Sequence, residues 1–419
     1  MGRIIRHVIL GFALLLAVSI AFTPAAHAAK EVKIGFSMAL TGPLGPAGKA
    51  ALLAMQIWRD DVNAKGGLLG RKVKLVYYDD QTKPANVPGI YAKLLDVDKV
   101  DFIVSGYGTN LIVPALPIAM ERGMVFMGLF GLDANAKFKY NNYFQIMPAG
   151  PDPIVDWSRG FFELAKKQKP QPKTIALLSA DSEFARNAVA GARRNAKKYG
   201  LKVVYDQRYP FPGTSDFTPI LRAVKAAKPD LFYVGSYPGG SVGIVKAAHE
   251  IGLEPKLFGG GMVGLQYTAI QMNLGKLLNG ITNYWFWAPE KTLKFPGIEA
   301  FLAKYQKEAP KQKLDPLGYY LPPFAYAYVQ LLGNAIEATK SFDQAKVGAY
   351  IRNNTHSTVV GNVKFGKNGE WATSRTFQVQ LQNIKSNKMS EFSKPGKMIV
   401  LYPEDFKSGN LIYPYAKGK

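Results

Sequence analysis

The sequence predicts an α/β fold made of two doubly wound, Rossmann-like lobes joined by a hinge that the chain crosses several times. Short apolar strand patterns alternate with helical patterns from residue 30 to about residue 260. A proline- and glycine-rich stretch at residues 148–153 divides this alternation into two series. Such alternation is typical of parallel sheets covered by helices on both faces. Two series in tandem therefore predict two lobes of related topology.

The first series predicts four strands separated by helices. The first helix is indicated by apolar residues at three- and four-residue spacing after Ala50, and the glycines at 66 and 67 end it. Apolar residues alternate with lysines in the second strand, which indicates one covered face. The predicted strands are residues 32–36, 72–78, 100–104 and 124–127, and the predicted helices are residues 50–63, 91–95 and 114–122.

The second series repeats the pattern, and the end of the chain differs from it. Three late segments alternate apolar and polar residues as antiparallel strands do. The predicted strands of the second series are residues 174–178, 202–205, 231–234 and 256–258, and its helices are residues 157–167, 186–199, 217–227 and 242–251. The later segments are an apolar stretch at 281–286, helices at 296–308 and 321–338, and strands at 361–365, 377–381 and 398–402.

This order of elements predicts how the chain is shared between the lobes. The helical block after residue 296 is expected to rejoin the first lobe rather than form a third. No low-complexity linker interrupts the sequence, so short crossings are expected to form the hinge. We therefore predict a first lobe of residues 29–149 and 282–357, and a second lobe of residues 150–281 and 358–419.

Residues 1–28 have the three parts of a secretory signal peptide. Arg3 and Arg6 supply positive charge, an apolar run follows, and the small residues Ala26 and Ala28 fit the −3 and −1 positions of a cleavage site. A membrane anchor is the alternative, but the apolar run is short for a bilayer span of about 20 residues. The sequence therefore predicts export from the cytoplasm with cleavage after Ala28.

The composition weakens most enzymatic interpretations. The chain has no cysteine, which excludes thiol catalysis, thiolate metal sites and a lipid-anchored cysteine. Only His249 and His356 remain beyond the signal peptide, and no Gly-x-Ser-x-Gly elbow is present, so a secreted hydrolase is the weaker alternative. We expect no catalytic residues, no metal site, no cofactor and no membrane anchor.

The charge of the chain is strongly basic, at +23 overall and +21 once the signal peptide is removed. Such a balance can indicate a nucleic-acid partner. The lysines, however, are scattered over polar helix faces without long runs or interleaved aromatic residues. We interpret the charge as a solvated basic surface and expect no nucleic-acid partner.

The mature chain resembles the type I periplasmic solute-binding proteins of branched-chain amino-acid (Leu/Ile/Val) ABC transporters. No single motif is decisive, but the order and spacing of the motifs together are specific. The resemblance implies that two lobes close on a small ligand and present it to an inner-membrane ABC permease, in the periplasm and as a monomer. It rests on residues 32–36, 41–43, 61–70, 78–80, 181–184, 216–218, 230–233 and 361–369.

In the first lobe, the resemblance implies that the loop at 105–110 binds the carboxylate of the ligand. Gly108 exposes backbone N–H groups and Thr109 adds a hydroxyl. The next loop supplies Gly131 and Leu132, and only the backbone of Leu132 serves, because the family usually has a hydroxyl residue there. The aromatic residue of the family's first loop corresponds to Ala47. The alternative is that these loops are ordinary turns between strand and helix.

In the second lobe, the resemblance implies that Tyr237 covers the ligand with its ring. The family's carboxylate, which pairs the ammonium of an amino acid, corresponds to Met262, and its tyrosine before the helix corresponds to Phe184. A buried ammonium without a counter-charge costs several kcal/mol. Glu183 or Asp181 is an alternative source of that charge.

These departures predict a ligand with a carboxylate or amide head and an apolar, even aromatic, body. A leucine-like amino acid is the close alternative. A ligand-sensing module of the same fold is a further alternative, although it would need a partner kinase or regulator.

Overall fold

The computed structural model describes residues 30–419 as an α/β protein with two large sheets. The predicted signal peptide, residues 1–28, lies outside the described residues. No helix within residues 30–419 is long and apolar enough to cross a membrane. The two-lobe α/β prediction is confirmed.

The first lobe is built on a five-stranded parallel sheet. Its central strands are buried over nearly their whole length, as strands covered on both faces are, whereas the edge strand at residues 73–79 is partly exposed. Its elements to the first crossing are β1 (Val32–Met38), α1 (Gly45–Ala64), β2 (Val73–Asp79), α2 (Val87–Asp96), β3 (Phe102–Tyr107), α3 (Thr109–Ile112), α4 (Leu116–Glu121), β4 (Phe126–Leu129) and β5 (Tyr143–Gln145). The strand order is β2-β1-β3-β4-β5. The three-residue β5 is not predicted by the sequence pattern, because it is too short to show a period.

The second lobe begins after the first crossing and repeats the alternation of strand and helix. Its parallel strands β6 (Thr174–Ala180), β8 (Leu231–Ser236) and β9 (Leu257–Met262) are each buried on both faces over most of their length. Its elements are α5 (Pro153–Lys166), β6 (Thr174–Ala180), α6 (Glu183–Lys198), β7 (Lys202–Tyr209), α7 (Thr218–Ala226), β8 (Leu231–Ser236), α8 (Pro238–Glu250), β9 (Leu257–Met262), α9 (Thr268–Leu274) and β10 (Thr282–Trp285).

The remaining chain returns to the first lobe and then to the second. Helix α11 (Pro322–Thr339) packs against α1 of the first lobe. The elements are α10 (Ile298–Glu308), α11 (Pro322–Thr339), α12 (Gln344–Asn353), β11 (Thr355–Thr358), β12 (Gly361–Lys364), β13 (Phe377–Leu381), α13 (Met389–Phe392) and β14 (Met398–Tyr402). The second sheet has the order β14-β13-β10-β9-β8-β6-β7, with β13 and β14 antiparallel to their neighbours.

Two of the predicted lobe boundaries need correction. The first lobe was predicted to resume at residue 282, but β10 pairs with β9 and β13 in the second sheet. The boundary predicted at residue 358 divides the hairpin of β11 and β12, which pairs within itself. The backbone N–H of Val359 donates to Gln330 on α11, and Phe365 packs on Phe144 of β5, so the whole hairpin packs on the first lobe. An apolar stretch shows that a strand is buried but not which sheet it joins.

The chain crosses between the lobes after β5, after β10 and after β12. The first and third of these crossings are hydrogen-bonded to each other. The backbone N–H of Gln145 donates to the carbonyl of Gly369 (2.8 Å), and the N–H of Arg375 donates to that of Pro148 (2.9 Å). Gly369 has φ +78, and a β-carbon there would collide with the Tyr143 carbonyl oxygen, so this approach requires glycine. The crossings therefore form a paired hinge rather than loose linkers.

The paired acids at the end of β2 have opposite environments. Asp79 accepts hydrogen bonds from the backbone of Leu40 and Gln81 and from the backbone and hydroxyl of Thr41. Burial raises its pKa, but these hydrogen bonds outweigh that effect and leave the pKa lowered. Asp80 is fully buried, and its Oδ2 has no partner within residues 30–419. Burial, with a smaller contribution from the charge of Asp79, raises the pKa of Asp80 to about 6.

We expect Asp80→Asn to stabilise the protein at pH 7.5. A carboxyl whose pKa is raised by folding contributes stability below its unfolded pKa of about 4 and loses it as pH rises through 6. The variant has no carboxyl at position 80, so it does not lose this stability as the pH rises. Its free energy of unfolding should exceed that of the wild type by about 2 to 3 kcal/mol at pH 7.5 and by little at pH 4. Urea unfolding at both pH values measures the difference.

Asp79→Asn is the matched control for this change. Its folded pKa is lowered, so the substitution should destabilise at pH 7.5, opposite in sign to Asp80→Asn. Equal losses from both variants at both pH values would contradict the account of Asp80.

Candidate functional site

The candidate site lies where the carboxyl ends of β3 and β8 face each other across the hinge. Ligands of open α/β sheets bind beyond the carboxyl ends of the strands. After β3 the chain turns at Gly108, which has φ +98, and Thr109 begins the short helix α3. The positive φ explains why glycine precedes Thr109.

The predicted residues of the first lobe are brought together by direct hydrogen bonds. Thr109 is buried, and its Oγ1 accepts from the backbone N–H of Leu132 at 2.9 Å. The carbonyl of Gly131 accepts from the side-chain amide of Gln145 at 2.8 Å. Thr109 still has its hydroxyl proton to donate, whereas the Leu132 N–H already has an acceptor.

The predicted aromatic residues of the second lobe also lie together. Tyr237 precedes α8, and its ring stacks on Phe211 with 4.2 Å between centroids. Phe184, in the first turn of α6, makes an edge contact with Tyr237 at 6.0 Å and with Trp157 at 5.5 Å. Burial raises the pKa of Tyr237 to about 12, so its hydroxyl is protonated at neutral pH.

Three polar side chains link the two lobes, and we call Asn110, Ser182 and Tyr237 the interlobe cluster. The Asn110 side-chain amide donates to Ser182 Oγ at 2.5 Å, and the Tyr237 hydroxyl lies 3.1 Å from Asn110 Oδ1 and 3.2 Å from Ser182 Oγ. A further interlobe bond runs from the Asn187 side-chain amide to the Leu132 carbonyl at 2.9 Å. Sequence reasoning missed Asn110 and Ser182, although Asn110 ends the loop at 105–110 that was expected to bind the carboxylate and Ser182 lies within the motif at 181–184.

An inner cavity of about 20 Å³ lies beside the interlobe cluster. This volume holds about one water molecule. None of the described residues that line it carries a charge. The lining includes Gly108, Thr109, Asn110, Phe184, Tyr237 and Val263.

An aromatic wall continues from the inner cavity into the hinge. Trp157 lies 4.4 Å from Tyr284, and Phe130 lies 4.7 Å from Phe286 and 5.4 Å from Tyr320, measured between ring centroids. The indole N–H of Trp157 is buried and has no acceptor within the described part of the chain. The cleft is therefore lined by aromatic rings with few polar groups, most of them near the interlobe cluster.

The inner cavity is not lined by four of the eight predicted site residues, namely Gly131, Leu132, Met262 and Ala47. Met262 is the last residue of β9, and its backbone N–H and carbonyl are both held by the side chain of Asn283 at 2.9 Å. The next residue, Val263, lines the inner cavity instead. Ala47 lines a separate outer chamber of about 750 Å³, and Tyr320 lines both spaces.

Neither acid considered as a counter-charge lines the inner cavity. Asp181 is paired with Arg186 at 3.0 Å and approaches Arg208 at 3.8 Å. Burial raises the pKa of Glu183, and the charges of Lys137 and Arg186 partly offset that effect. An ammonium group inside the inner cavity would therefore meet neutral polar atoms rather than a carboxylate.

The described residues contain no cluster of three or more His, Asp or Glu side chains suited to a metal ion. Both histidines of residues 30–419 are used in packing. His249 Nε2 lies 3.0 Å from the Leu277 carbonyl, and His356 Nε2 lies 2.8 Å from the Ile351 carbonyl. Burial lowers the pKa of both rings.

A family model described as periplasmic binding protein matches residues 31–388. The chain belongs to the periplasmic binding protein family. The resemblance found in the sequence is thereby confirmed, and the members of this family are solute-binding proteins rather than enzymes.

Individual relatives of this periplasmic binding protein agree with the family match. Leu/Ile/Val-binding protein homolog 7 of Brucella melitensis is 26% identical over 406 residues, covering 93% of this chain and 96% of the relative. A solute-binding protein of R. palustris, solved with 4-hydroxybenzoate, superposes with a TM-score of 0.74 at 21% identity, covering 91% and 98% of the two chains. The branched-chain amino acid substrate-binding protein LivJ of Streptococcus pneumoniae, solved with isoleucine, gives 0.72 at 20% identity, covering 89% and 100%.

We expect Tyr237→Phe to shift the protein towards a more open arrangement of the lobes. The substitution keeps the ring stack on Phe211. It removes the hydrogen bonds of the hydroxyl to Asn110 in the first lobe and to Ser182 in the second lobe. Each such hydrogen bond contributes about 1 kcal/mol. Small-angle X-ray scattering of the ligand-free protein should show a larger radius of gyration.

Tyr209→Phe is the matched control. Tyr209 is buried against Phe217, and its hydroxyl has no hydrogen-bond partner within residues 30–419. Its loss should leave the scattering curve unchanged. Identical curves for wild type and Tyr237→Phe would show that the interlobe cluster does not hold the lobes closed.

Proposed function

We propose that this protein is the extracytoplasmic substrate-binding component of an ABC importer of the branched-chain amino-acid type. Its ligand has a carboxylate or amide head and an apolar or aromatic body, and it binds between the lobes. The observation that carries the ligand class is the lining of the inner cavity, where hydroxyl and amide groups adjoin aromatic rings without any charged side chain.

The head of the ligand is assigned to the Thr109 side of the cavity. Thr109 has a hydroxyl proton to donate, and Asn110 beside it offers an amide group. Hydrogen bonds to a charged acceptor are stronger than those between neutral groups, which favours a carboxylate. Trp157 and Phe184 supply apolar surface beside the head of the ligand.

A leucine-like amino acid is the second candidate. The name of the Brucella relative and the isoleucine bound to the Streptococcus neighbour favour it. The aromatic acid bound to the R. palustris neighbour favours the first candidate. We place the aromatic or apolar acid first because it has one charged group to bury, and the Thr109 hydroxyl can donate to that group. An amino acid adds an ammonium, for which the lining of the inner cavity offers no carboxylate.

The proposed mechanism is hinge closure without covalent chemistry. The lobes rotate about the paired crossings, and the ligand adds contacts that exist only when both lobes surround it. A ligand shifts such an equilibrium only by its difference in affinity for the two states. The interlobe cluster already favours closure, so the ligand must replace or extend these hydrogen bonds rather than create closure alone.

The location, the oligomeric state and the permease partner are inferred from the family and from the sequence. We propose that the protein acts in the periplasm as a monomer without a cofactor and delivers its ligand to an inner-membrane permease. The eight residues Ala47, Gly108, Thr109, Gly131, Leu132, Phe184, Tyr237 and Met262 remain the proposed ligand-binding set, with Val263 preferred to Met262 at the inner cavity.

Ligand screening by thermal shift tests the ligand class. We expect benzoate and 3-phenylpropanoate to stabilise the protein more than leucine or valine does. Stabilisation reaches about 2.7 kcal/mol when the ligand is at a hundredfold excess over its Kd. Stabilisation by leucine or valine alone would establish the second candidate instead.

Thr109→Val should weaken binding of the best acid by about tenfold or more, because the variant keeps the shape of the side chain and removes its hydroxyl. Thr109→Ser is the control, since it keeps the hydroxyl and should retain most of the affinity. Isothermal titration calorimetry measures both. Equal affinity for all three proteins would place the head of the ligand elsewhere.

Processing of the N-terminus tests the proposed location. The mature protein, purified from the extracytoplasmic fraction, should begin at Ala29 by intact mass. Ala28→Phe should block cleavage because the −1 position requires a small residue. His27→Phe, at the unconstrained position between the two small residues, should be processed normally.

A further inference from the structure

The outer chamber lies between the lobes, and residues of both lobes line it. Its volume of about 750 Å³ falls within the range of roughly 300 to 1,000 Å³ that is typical of small-molecule sites. The first lobe contributes the loop and helix start around Ala47, and the second lobe contributes Pro238, Tyr267 and Ile270. The wall is mostly apolar, as a site for the body of a ligand requires.

The wall of the chamber is held in place by the end of β2. Asp79 accepts from the backbone of Leu40 and Thr41, and the Thr82 hydroxyl donates to the Thr41 carbonyl at 2.7 Å. A β-carbon at Gly48 would collide with the Ala39 carbonyl oxygen, so the start of α1 packs closely on this loop. The chamber is therefore bounded by a fixed loop.

Tyr320 separates the chamber from the inner cavity and lines both. Its hydroxyl lies 2.9 Å from that of Tyr284 and 3.4 Å from that of Tyr107. Tyr107 lines the inner cavity, and its hydroxyl lies 3.4 Å from that of Tyr267 on the chamber side. Tyrosine side chains thus lie between the two spaces, and a ligand that occupied both would have to displace the ring of Tyr320.

The charged residues of the chamber favour an anionic ligand. The carboxylate of Asp315 is already engaged by the Thr268 hydroxyl at 2.5 Å and by the Leu317 backbone at 3.1 Å. Lys49 and Lys313 are exposed at the rim, and neither has an ion-pair partner within residues 30–419. Approach of an acid is therefore attractive, while the walls inside the rim are apolar.

We propose that the outer chamber receives the distal apolar part of an elongated acid whose head binds beside Thr109. With the lobes closed, the inner cavity has room for about one water, so the body of a ligand must lie in the chamber. The substrate class is thus an acid with an extended apolar chain or an aryl-alkyl body, rather than a single ring. This inference rests on the proposed function and defines its ligand further.

A chain-length series tests the inference. We would titrate benzoate, 3-phenylpropanoate and 5-phenylpentanoate by calorimetry. Each methylene buried in the chamber should improve the affinity by about fourfold. A flat or falling series would overturn the inference.

Bulky substitutions that fill the chamber provide a second, independent test of the inference. Ala269 lines the chamber from an exposed position on α9, so Ala269→Trp should fold normally while occupying the space. We expect it to weaken 5-phenylpentanoate by about tenfold or more, as pocket contacts of this size do, and to change the Kd of benzoate less than twofold. Ala47→Phe should act in the same direction from the opposite wall.

Ala223→Trp is the matched control, because Ala223 is equally exposed on a helix and does not line the chamber. It should leave the whole series unchanged. If Thr109→Val weakens binding but Ala269→Trp and Ala47→Phe leave every Kd unchanged, the chamber does not hold the body of the ligand. That result would overturn the inference and would not contradict the proposed function. Binding of none of the three acids would instead count against the proposed function itself.

Discussion

The hydrogen bonds between Asn110 of the first lobe and the Ser182–Tyr237 pair of the second are the interaction on which the cleft depends. Tyr237 is buried and Asn110 is partly buried, and buried polar groups need hydrogen-bond partners. They find them across the interface, in contact with one another. This requirement brings the lobes together, reduces the inner cavity to about 20 Å³ and leaves the larger space on the far side of Tyr320.

The hinge gives this contact its geometry. The first and third crossings are joined through the Gln145–Gly369 and Arg375–Pro148 hydrogen bonds, so the lobes cannot separate by simple translation. The aromatic wall runs across the same region, from Phe184 through Trp157 to Phe286. Aromatic pairs in edge contact bury large areas and contribute about 0.5 to 1.5 kcal/mol each beyond that burial. The aromatic wall therefore stabilises the packing of the hinge region in this arrangement of the lobes.

Several residues of the site could be predicted from the sequence, because the patterns that mark them involve only a few neighbouring residues. Gly108 and Thr109 follow a buried strand and begin a helix, and this arrangement exposes backbone N–H groups wherever it occurs. Tyr237 follows another such strand. Met262 was placed one residue away from the position that lines the inner cavity, because only the structure shows that β9 continues to Met262 and that Asn283 holds its backbone. Asn110 and Ser182 were missed because their role depends on each other, at a separation of 72 residues.

The sequence by itself determined the α/β class, the two series of parallel strands and the loops from which a site could be built, since strand and helix periods and the need for glycine at positive φ act over a few residues. The tertiary structure decided which sheet β10 joins, which loops meet across the hinge and how the space between the lobes is divided. These depend on contacts between residues far apart in the chain. The physical reason is that burial and hydrogen-bond satisfaction are settled by the whole packed molecule and cannot be assigned to a single segment.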